Sequence, residues 1–465
     1  MQLGDLLDDF TLGVATSSIE IDYVEVDSRR CRPGTLFFAL PGSTVHGAKF
    51  ATDAVSAGAV AVVTSEPLKL DVPVVIVPES QLRGLLAHVS ASVVGHPEVG
   101  VDLVGVTGTN GKTSVTTIVR DIARGLGWNG ANIGTLTNER TTPAPPELFR
   151  TLREIVDGFD EGLARSVVAL EVSSHALDQR RVEGLRFAVA AFTNLSHDHL
   201  DYHGSMDEYF ATKSQLFTPE HATSAVIWCD DPYGERLASA TALGVTPVRR
   251  SDASEVATSL LGTTFFWRGH LVNTDMVGDY NVDNALVAMT VMGTLGARDE
   301  DIAKAMSSVH NVPGRFEVVA SDDVVVIVDY AHTPEGLRRL LGDVRALAPG
   351  ARVLTVFGCG GERDQSKRPE MGQVATTYSD LTIVTSDNPR SESPDAIIDA
   401  IMSGTVADSA VMRISDRRAA IAEALAQATR GDVVVIAGKG HETTQTTGDL
   451  VVEFDDRAVA REILG

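Results

Sequence analysis

Short runs of Val, Ile, Leu and Ala recur along the chain: "VAVVTS", "DLVGVTG", "SVVALEVSS", "AVAAFTNLS", "SAVIWCDD", "VVVIVDYA", "RVLTVFGCGG", "LTIVTSDN" and "DVVVIAGKG". Helix-compatible stretches separate them. A strand with one face in water alternates apolar and polar residues, whereas a run that is apolar at consecutive positions must bury both faces. The chain is therefore constrained to an α/β fold, with parallel sheets covered by helices. Nearly every polar cluster begins where one of these runs ends. Ligands of open parallel sheets bind beyond the carboxyl ends of the strands, so the chemistry is expected along that edge, between domains.

A length of 465 residues, at roughly 150 per domain, suggests three domains. Two turn-rich joints divide the chain. "SVVGHPEVGVDL" precedes the strand leading into a glycine loop, and "NVPGRFEVVASDD" precedes a fresh strand. The expected segments are 1–98, 99–316 and 317–465. The formal charge of -24, from 63 acids against 39 bases, repels polyphosphate backbones, so no nucleic-acid partner is expected. No apolar run approaches the roughly 18 residues of a membrane span. Cys31, Cys229 and Cys359 are widely spaced and read as reduced thiols. The start, "MQLGDLLDDF", has acids where a signal peptide is basic, so a cytoplasmic location is expected.

"VGVTGTNGKTSV" (104–115) joins a strand over Val101 to Val106 to a helix beginning near Lys112. The usual phosphate loop is Gly, four residues, then Gly-Lys-Ser/Thr. Counting back from Gly111 puts Val106 at the first glycine position, so the pattern is displaced. The context is nevertheless that of a phosphate loop, with backbone N–H groups and a helix N-terminus facing the ligand. Lys112 would reach the terminal phosphates and Thr113 would offer its hydroxyl to Mg²⁺. The bland alternative is a plain strand-to-helix turn.

In "LEVSSHALDQRRV" (170–182), Glu171 is a candidate metal ligand, and Ser173 and Arg181 are candidates to hold an anion. Taken alone, the segment reads as a capped helix start with a solvated arginine. "FTNLSHDHLDYHG" (192–204) packs three histidines and two aspartates together, which raises a zinc hydrolase as a rival. A nearby phosphate loop favours Mg²⁺, which takes oxygen ligands, although a histidine ligand to Mg²⁺ is unusual. "GCGGERDQSKRP" (358–369) and "SDNPRSESP" (386–394) put arginines in turns after strands, where their forks suit carboxylate or phosphate. "AGKGHETTQ" (437–445) adds Gly438, Glu442 and the pair Lys439 and His441. Singly, each is a capped turn; together they suit a zwitterion such as an amino acid.

These segments, in this order, resemble the Mur ligase family of peptidoglycan synthesis. Within it they are most similar to the MurE branch, which adds the third residue to UDP-N-acetylmuramoyl-L-alanyl-D-glutamate. The resemblance runs from "VDSRRCRPGTLFFALPG" (26–42) to "FDDRAVAREIL" (454–464), and the family loop T-G-T-N-G-K-T/S matches residues 107–113. It implies three domains, with a central P-loop ATPase-like parallel sheet and a C-terminal Rossmann-like domain.

Position by position, the resemblance implies these roles. Ser28, flanked by Asp27 and Arg29, binds the uridine diphosphate end; Thr141, Thr142, Ser173 and Arg181 hold the muramoyl dipeptide. Gly108, Thr109, Asn110, Gly111, Lys112, Thr113 and Ser114 bind ATP, with Asn281 and Asn284 on the adenine side. Arg315, Asp329 and His332 complete the ATP site. Lys112, Glu171, His199 and Lys213 are the catalytic set, and Thr113, Glu171, His199 and Lys213 the Mg²⁺ ligands. Lys213 matches a lysine that family members carry as a carbamate, N6-carboxylysine, which turns a cation into a metal-binding anion. Arg363, Asp387, Asn388, Pro389, Arg390, Gly438 and Glu442 match contacts to meso-diaminopimelate. Arg390 would grip its distal carboxylate and Glu442 its distal ammonium.

Two places depart from the family. His46-Gly47 stands where Asp-Gly is common, and the stretch before the strand at "SVVAL" carries a few extra residues. The implied partners are ATP, Mg²⁺, UDP-N-acetylmuramoyl-L-Ala-D-Glu and meso-diaminopimelate, acting on a monomer. Three rivals stay open: the same ligase using L-lysine or another diamine, a folylpolyglutamate-type ligase, and a P-loop regulatory ATPase.

Overall fold

Consecutive residues of the apolar runs point to opposite faces of their sheets, and both faces are covered. In "VVAL", Val167 and Ala169 join one apolar cluster while Val168 and Leu170 join another. In "VVVI", Val433 and Val435 pack on one side, Val434 and Ile436 on the other. The computed structural model describes all residues except 8–17, 43–44, 139, 321–322, 363 and 465. Arg363 of the expected amino-acid site therefore lies outside the described residues.

The first sheet is parallel, in the order β1 (Tyr23–Glu25), β2 (Thr35–Ala39), β3 (Ala59–Thr64), β4 (Val74–Ile76). The second comprises β5 (Asp102–Thr107), β6 (Asn129–Ile133), β7 (Ser166–Glu171), β8 (Phe187–Phe192), β9 (Ala222–Trp228) and β10 (Gly244–Val248). All of its pairs are parallel, in the order β10-β9-β8-β5-β7-β6. The helices Lys112–Gly125 and Asp279–Thr294 cover one face, and Pro145–Asp157 covers the other.

A short antiparallel sheet follows: β11 (Ala253–Ser259), β12 (Gly262–Trp267) and β13 (His270–Thr274). Its buried Phe265, Trp267 and Val272 join the core of the second sheet. The last large sheet has β14 (Glu317–Ala320), β15 (Val325–Asp329), β16 (Val353–Phe357), β17 (Leu381–Val384), β18 (Val411–Arg413) and β19 (Val433–Ala437). Its order is β14-β15-β19-β16-β17-β18, with only β14 antiparallel. A hairpin of β20 (Thr444–Thr447) and β21 (Leu450–Glu453) hangs from the end of β19.

Parallel pairing puts the carboxyl ends of strands on one edge, as the sequence leads one to expect. Loops 108–111, 134–138, 172–173 and 193–199 leave the second sheet there. Loops 330–332, 358–362, 385–390 and 438–442 leave the last sheet likewise. Among the described residues no helix is long and apolar enough to cross a membrane. Cys31, Cys229 and Cys359 are unpaired thiols.

Candidate active site

The two edges face each other across a cleft with two adjoining cavities of about 330 and 210 Å³. Asn110, Gly111, Arg315 and Tyr330 line both, so the cavities lie side by side against these residues.

At the glycine loop, Gly108 (φ 149°) and Gly111 (φ 88°) adopt backbone that side chains rarely take. A Cβ on Gly108 would collide with Thr193 Oγ1, and one on Gly111 with Asn284 Oδ1. The helix starts at Lys112, as the sequence predicts. Lys112 Nζ donates to the carbonyls of Gly108 (2.9 Å) and Thr109 (2.8 Å), curling over the loop it would share with a phosphate. Burial pulls its ammonium below the ordinary lysine range, while Glu171 and Asp198 oppose that shift.

Thr113 lies at the same loop, and its hydroxyl donates to Glu171 Oε2 at 3.0 Å. Glu171 also accepts from the backbone N–H (2.8 Å) and the hydroxyl (3.2 Å) of Thr135. Burial raises its carboxyl above the usual range, against the pull of Lys112 and these donors. Arg315, from the joint between the second and last sheets, donates to Thr113 Oγ1 at 3.2 Å and stacks over Tyr330. Thr113 and Glu171 thus present hydroxyl and carboxylate oxygens beside the phosphate loop, a donor set that fits a hard cation such as Mg²⁺. His199 enters the same cavity in a left-handed conformation (φ 55°), its N–H donating to Asp198 Oδ1 at 3.0 Å. Burial pushes its imidazole down to about 3, so it is neutral and free to act as a ligand near pH 7.

Lys213 is 2% exposed, with Nζ 2.9 Å from the Gly108 carbonyl and 4.7 Å from the Tyr209 ring. Burial, with Lys112 nearby, holds it well below the ordinary lysine range. As an amine it does not fit a cation; only an anionic derivative would.

Asp198, unnamed by the sequence reading, is the hub between the sheets. It lies 3.4 Å from Lys367 Nζ, at the start of the helix Lys367–Tyr378, and 3.7 Å from His332 Nε2, in the loop after β15. His197 meets Asp364 at 3.0 Å, whereas His203 turns inward to Ser174 Oγ at 2.9 Å. Among the described residues no group of three or more His, Cys, Asp or Glu is arranged to hold a metal, so the zinc rival finds no protein-only site in the histidine cluster.

The other expected residues divide by place. Thr141 lines the smaller cavity. Behind it, Thr142 donates to the Glu171 carbonyl (2.7 Å) and to Ser173 Oγ (3.2 Å), and Arg181 donates to the Thr142 carbonyl (2.7 Å). Ser114, Asn284 and Asp329 line the larger cavity and His332 the smaller. Asn281 is buried behind the wall, donating to the Val277 carbonyl. Ser28 sits on the first domain in a turn capped by Asp27, away from both cavities. Asp387, Asn388, Arg390, Gly438 and Glu442 line the cavity that also holds Lys112 and Glu171, while Pro389 does not. Asn388 Nδ2 donates to Glu442 Oε2 at 2.7 Å, and Arg390 (φ 52°) donates to the Gly361 carbonyl. Thr135, Asp198, Tyr280 and Lys367 were missed; only the polar cluster around Asp198 carried a signal in sequence.

Three family descriptions match the chain in order: "Mur ligase family, catalytic domain" over residues 20–98, "Mur ligase middle domain" over 106–292, and "Mur ligase, glutamate ligase domain" over 314–440. A UDP-N-acetylmuramoyl-L-alanyl-D-glutamate–2,6-diaminopimelate ligase of Geobacillus kaustophilus is 44% identical, covering 95% of this chain and 94% of its own. The protein of that name from Gloeobacter violaceus is 42% identical, over 96% and 94%. A solved structure of a ligase with this name has a TM-score of 0.67 at 28% identity, covering 100% of this chain and 98% of that one.

Proposed function

The chain belongs to the Mur ligase family, and from that premise we propose that it joins diaminopimelate to UDP-N-acetylmuramoyl-L-alanyl-D-glutamate at the expense of ATP, in peptidoglycan precursor synthesis. One observation carries the reading of the site: a single cavity is lined both by Lys112, Thr113 and Glu171 and by Asn388, Arg390 and Glu442. A phosphate-handling group and an amino-acid-sized polar pocket within one cavity suit a ligase better than a nucleotide switch.

In this reading the domains meet near residues 98 and 316, and ATP lies along the glycine loop toward Asn284. An oxygen of the D-Glu γ-carboxylate attacks the γ-phosphorus, breaking its bond to the bridging oxygen and releasing ADP. The uncharged amine of diaminopimelate then attacks the acyl carbon, loses a proton, and phosphate leaves. A free carboxylate resists amide formation because oxide is a poor leaving group; phosphate is a good one. Lys112 and Arg315 offset charge on the transferring phosphoryl group. Thr113, Glu171, His199 and a carbamylated Lys213 would hold Mg²⁺, which when bound supplies further charge neutralisation. Thr141, Thr142, Ser173 and Arg181 position the dipeptide, and Ser28 the uridine end. The enclosing domains exclude water, which would otherwise hydrolyse the acyl phosphate.

Arg390 and Glu442 favour diaminopimelate over L-lysine, because a site built for a distal carboxylate leaves Arg390 unpaired with an analogue lacking it. The acyl-phosphate route is tested by labelling the D-Glu γ-carboxylate with oxygen-18. Label should appear in the released phosphate; unlabelled phosphate would show that the carboxylate never attacks ATP.

A further inference from the structure

The amino-acid pocket is built from two turns whose strands are not neighbours. The Asp387–Arg390 turn follows β17 and the Gly438–Glu442 turn follows β19, and β16 lies between those strands. Backbone pairing joins Arg390 to Thr446 and Gly448 in the hairpin beyond the second turn, but among the described residues it does not join Asp387–Arg390 to Gly438–Glu442 themselves. A fully buried lysine spans the gap. Lys439 is 0% exposed, and its Nζ donates to the Thr444 carbonyl (2.6 Å), Glu442 Oε2 (3.1 Å) and Asn388 Oδ1 (3.4 Å). A fourth oxygen, Asp387 Oδ1, lies 3.6 Å away.

The contacts fix more than position. Asn388 Oδ1 faces two donors, Lys439 Nζ and the Thr446 N–H at 3.0 Å, so its Nδ2 must face Glu442. Asp387 Oδ1 is buried, lacks a hydrogen-bond donor and belongs to a residue in the cavity wall. Around Lys439 two carboxylates face one ammonium, a local excess of negative charge that Arg390, in the same cavity wall, offsets across the pocket. That local excess suits a substrate ammonium, and it requires Lys439 to keep the two acids from repelling each other out of place.

We propose that Lys439 is a positioning residue for the incoming amino acid, holding Asp387, Asn388 and Glu442 in the geometry that receives its ammonium group. This rests on the ligase function proposed above. It separates Lys439 from Lys112 and Lys213, which face the phosphate loop and not the amino-acid turns.

The test is steady-state kinetics of wild type, Lys439→Met, Glu442→Gln and the double variant. Phosphate release is followed with ATP, UDP-N-acetylmuramoyl-L-Ala-D-Glu and diaminopimelate, lysine and ornithine as amino acids. Removing one partner of a buried charge pair should raise KM for the amino acid used by wild type about tenfold or more. KM values for ATP and the dipeptide should stay within about twofold. The losses from Lys439→Met and Glu442→Gln should combine less than multiplicatively, because both disrupt one network. The double variant has no lone Glu442 carboxylate, so where Lys439→Met folds poorly its comparison with Glu442→Gln still reads the loss of Lys439, as a further rise in KM for the amino acid but not for ATP or the dipeptide. Equal rises in all three KM values, or fully multiplicative losses, would overturn the positioning role. Wild type inactive with every amino acid would overturn the ligase reading, and this role with it.

Discussion

Lys213 is enclosed where an ammonium is poorly hydrated, and burial holds it well below the ordinary lysine range, which favours the uncharged amine. A neutral amine can attack carbon dioxide, forming an N–C bond, losing a proton and gaining the negative charge that a metal ligand needs. Depleting dissolved carbon dioxide should therefore lower ligase turnover severalfold, with bicarbonate restoring it; indifference to both would count against the carbamate. Asp283, in the wall of the larger cavity, behaves differently. Burial pushes its carboxyl up to about 7, against the pull of Arg339 and Arg250. Unfolding returns it to about 4, so between those values the folded chain binds more protons. Its contribution to stability is full below about 4 and is lost as pH rises through about 7. Asp283→Asn should therefore gain in Tm relative to wild type between about pH 5 and 8, and a relative loss would contradict the shift. Motif residues such as Lys112, Glu171 and Arg390 were legible because their neighbours in sequence carry the pattern. Asp198 and Thr135 act through partners distant in the chain, Lys367 at 3.4 Å and Glu171 at 2.8 Å; the polar cluster of 192–204 marks the place of Asp198 but not its partner, and nothing local marks Thr135.

Among the elements, the strand, loop and helix around Gly111 set where a nucleotide can lie. Gly111 holds positive φ beside Asn284, so a methyl group strains the backbone and drives the loop from the wall. Gly111→Ala should weaken ATP binding about tenfold or more, read by nucleotide titration; unchanged affinity would show that the loop does not contact the phosphates. The parallel strands were legible because burial on both faces makes an apolar run. Sheet β11–β12–β13 and the hairpin β20–β21 were not. Half of β12 and all of β21 face solvent, so neither forms a continuous apolar run. Yet the hairpin buttresses the site: Arg390 N–H donates to the Thr446 carbonyl, and Gly448 N–H to the Arg390 carbonyl. That pairing steadies the left-handed Arg390, which no pattern within "SDNPRSESP" announces.

At the scale of the whole molecule, length and joints suggested three domains, but not how they meet. Arg150 pairs with Glu25 at 2.6 Å and Arg30 with Glu147 at 3.3 Å, tying the first sheet's domain to the helix Pro145–Asp157. Asp198 with Lys367, and His197 with Asp364, tie the second sheet's loops to the last. These pairs join residues far apart in the chain, so folding alone reveals them. They bring the phosphate loop and the amino-acid turns into one cavity, and that juxtaposition implies that ATP is used to make a bond between two bound substrates. The most direct measurement is phosphate release from ATP with each substrate omitted in turn and a panel of amino acids supplied. Release should require UDP-N-acetylmuramoyl-L-Ala-D-Glu and be fastest with meso-diaminopimelate, in step with amide product. Release that proceeds without the dipeptide, or equally fast with L-lysine, would contradict the proposed function.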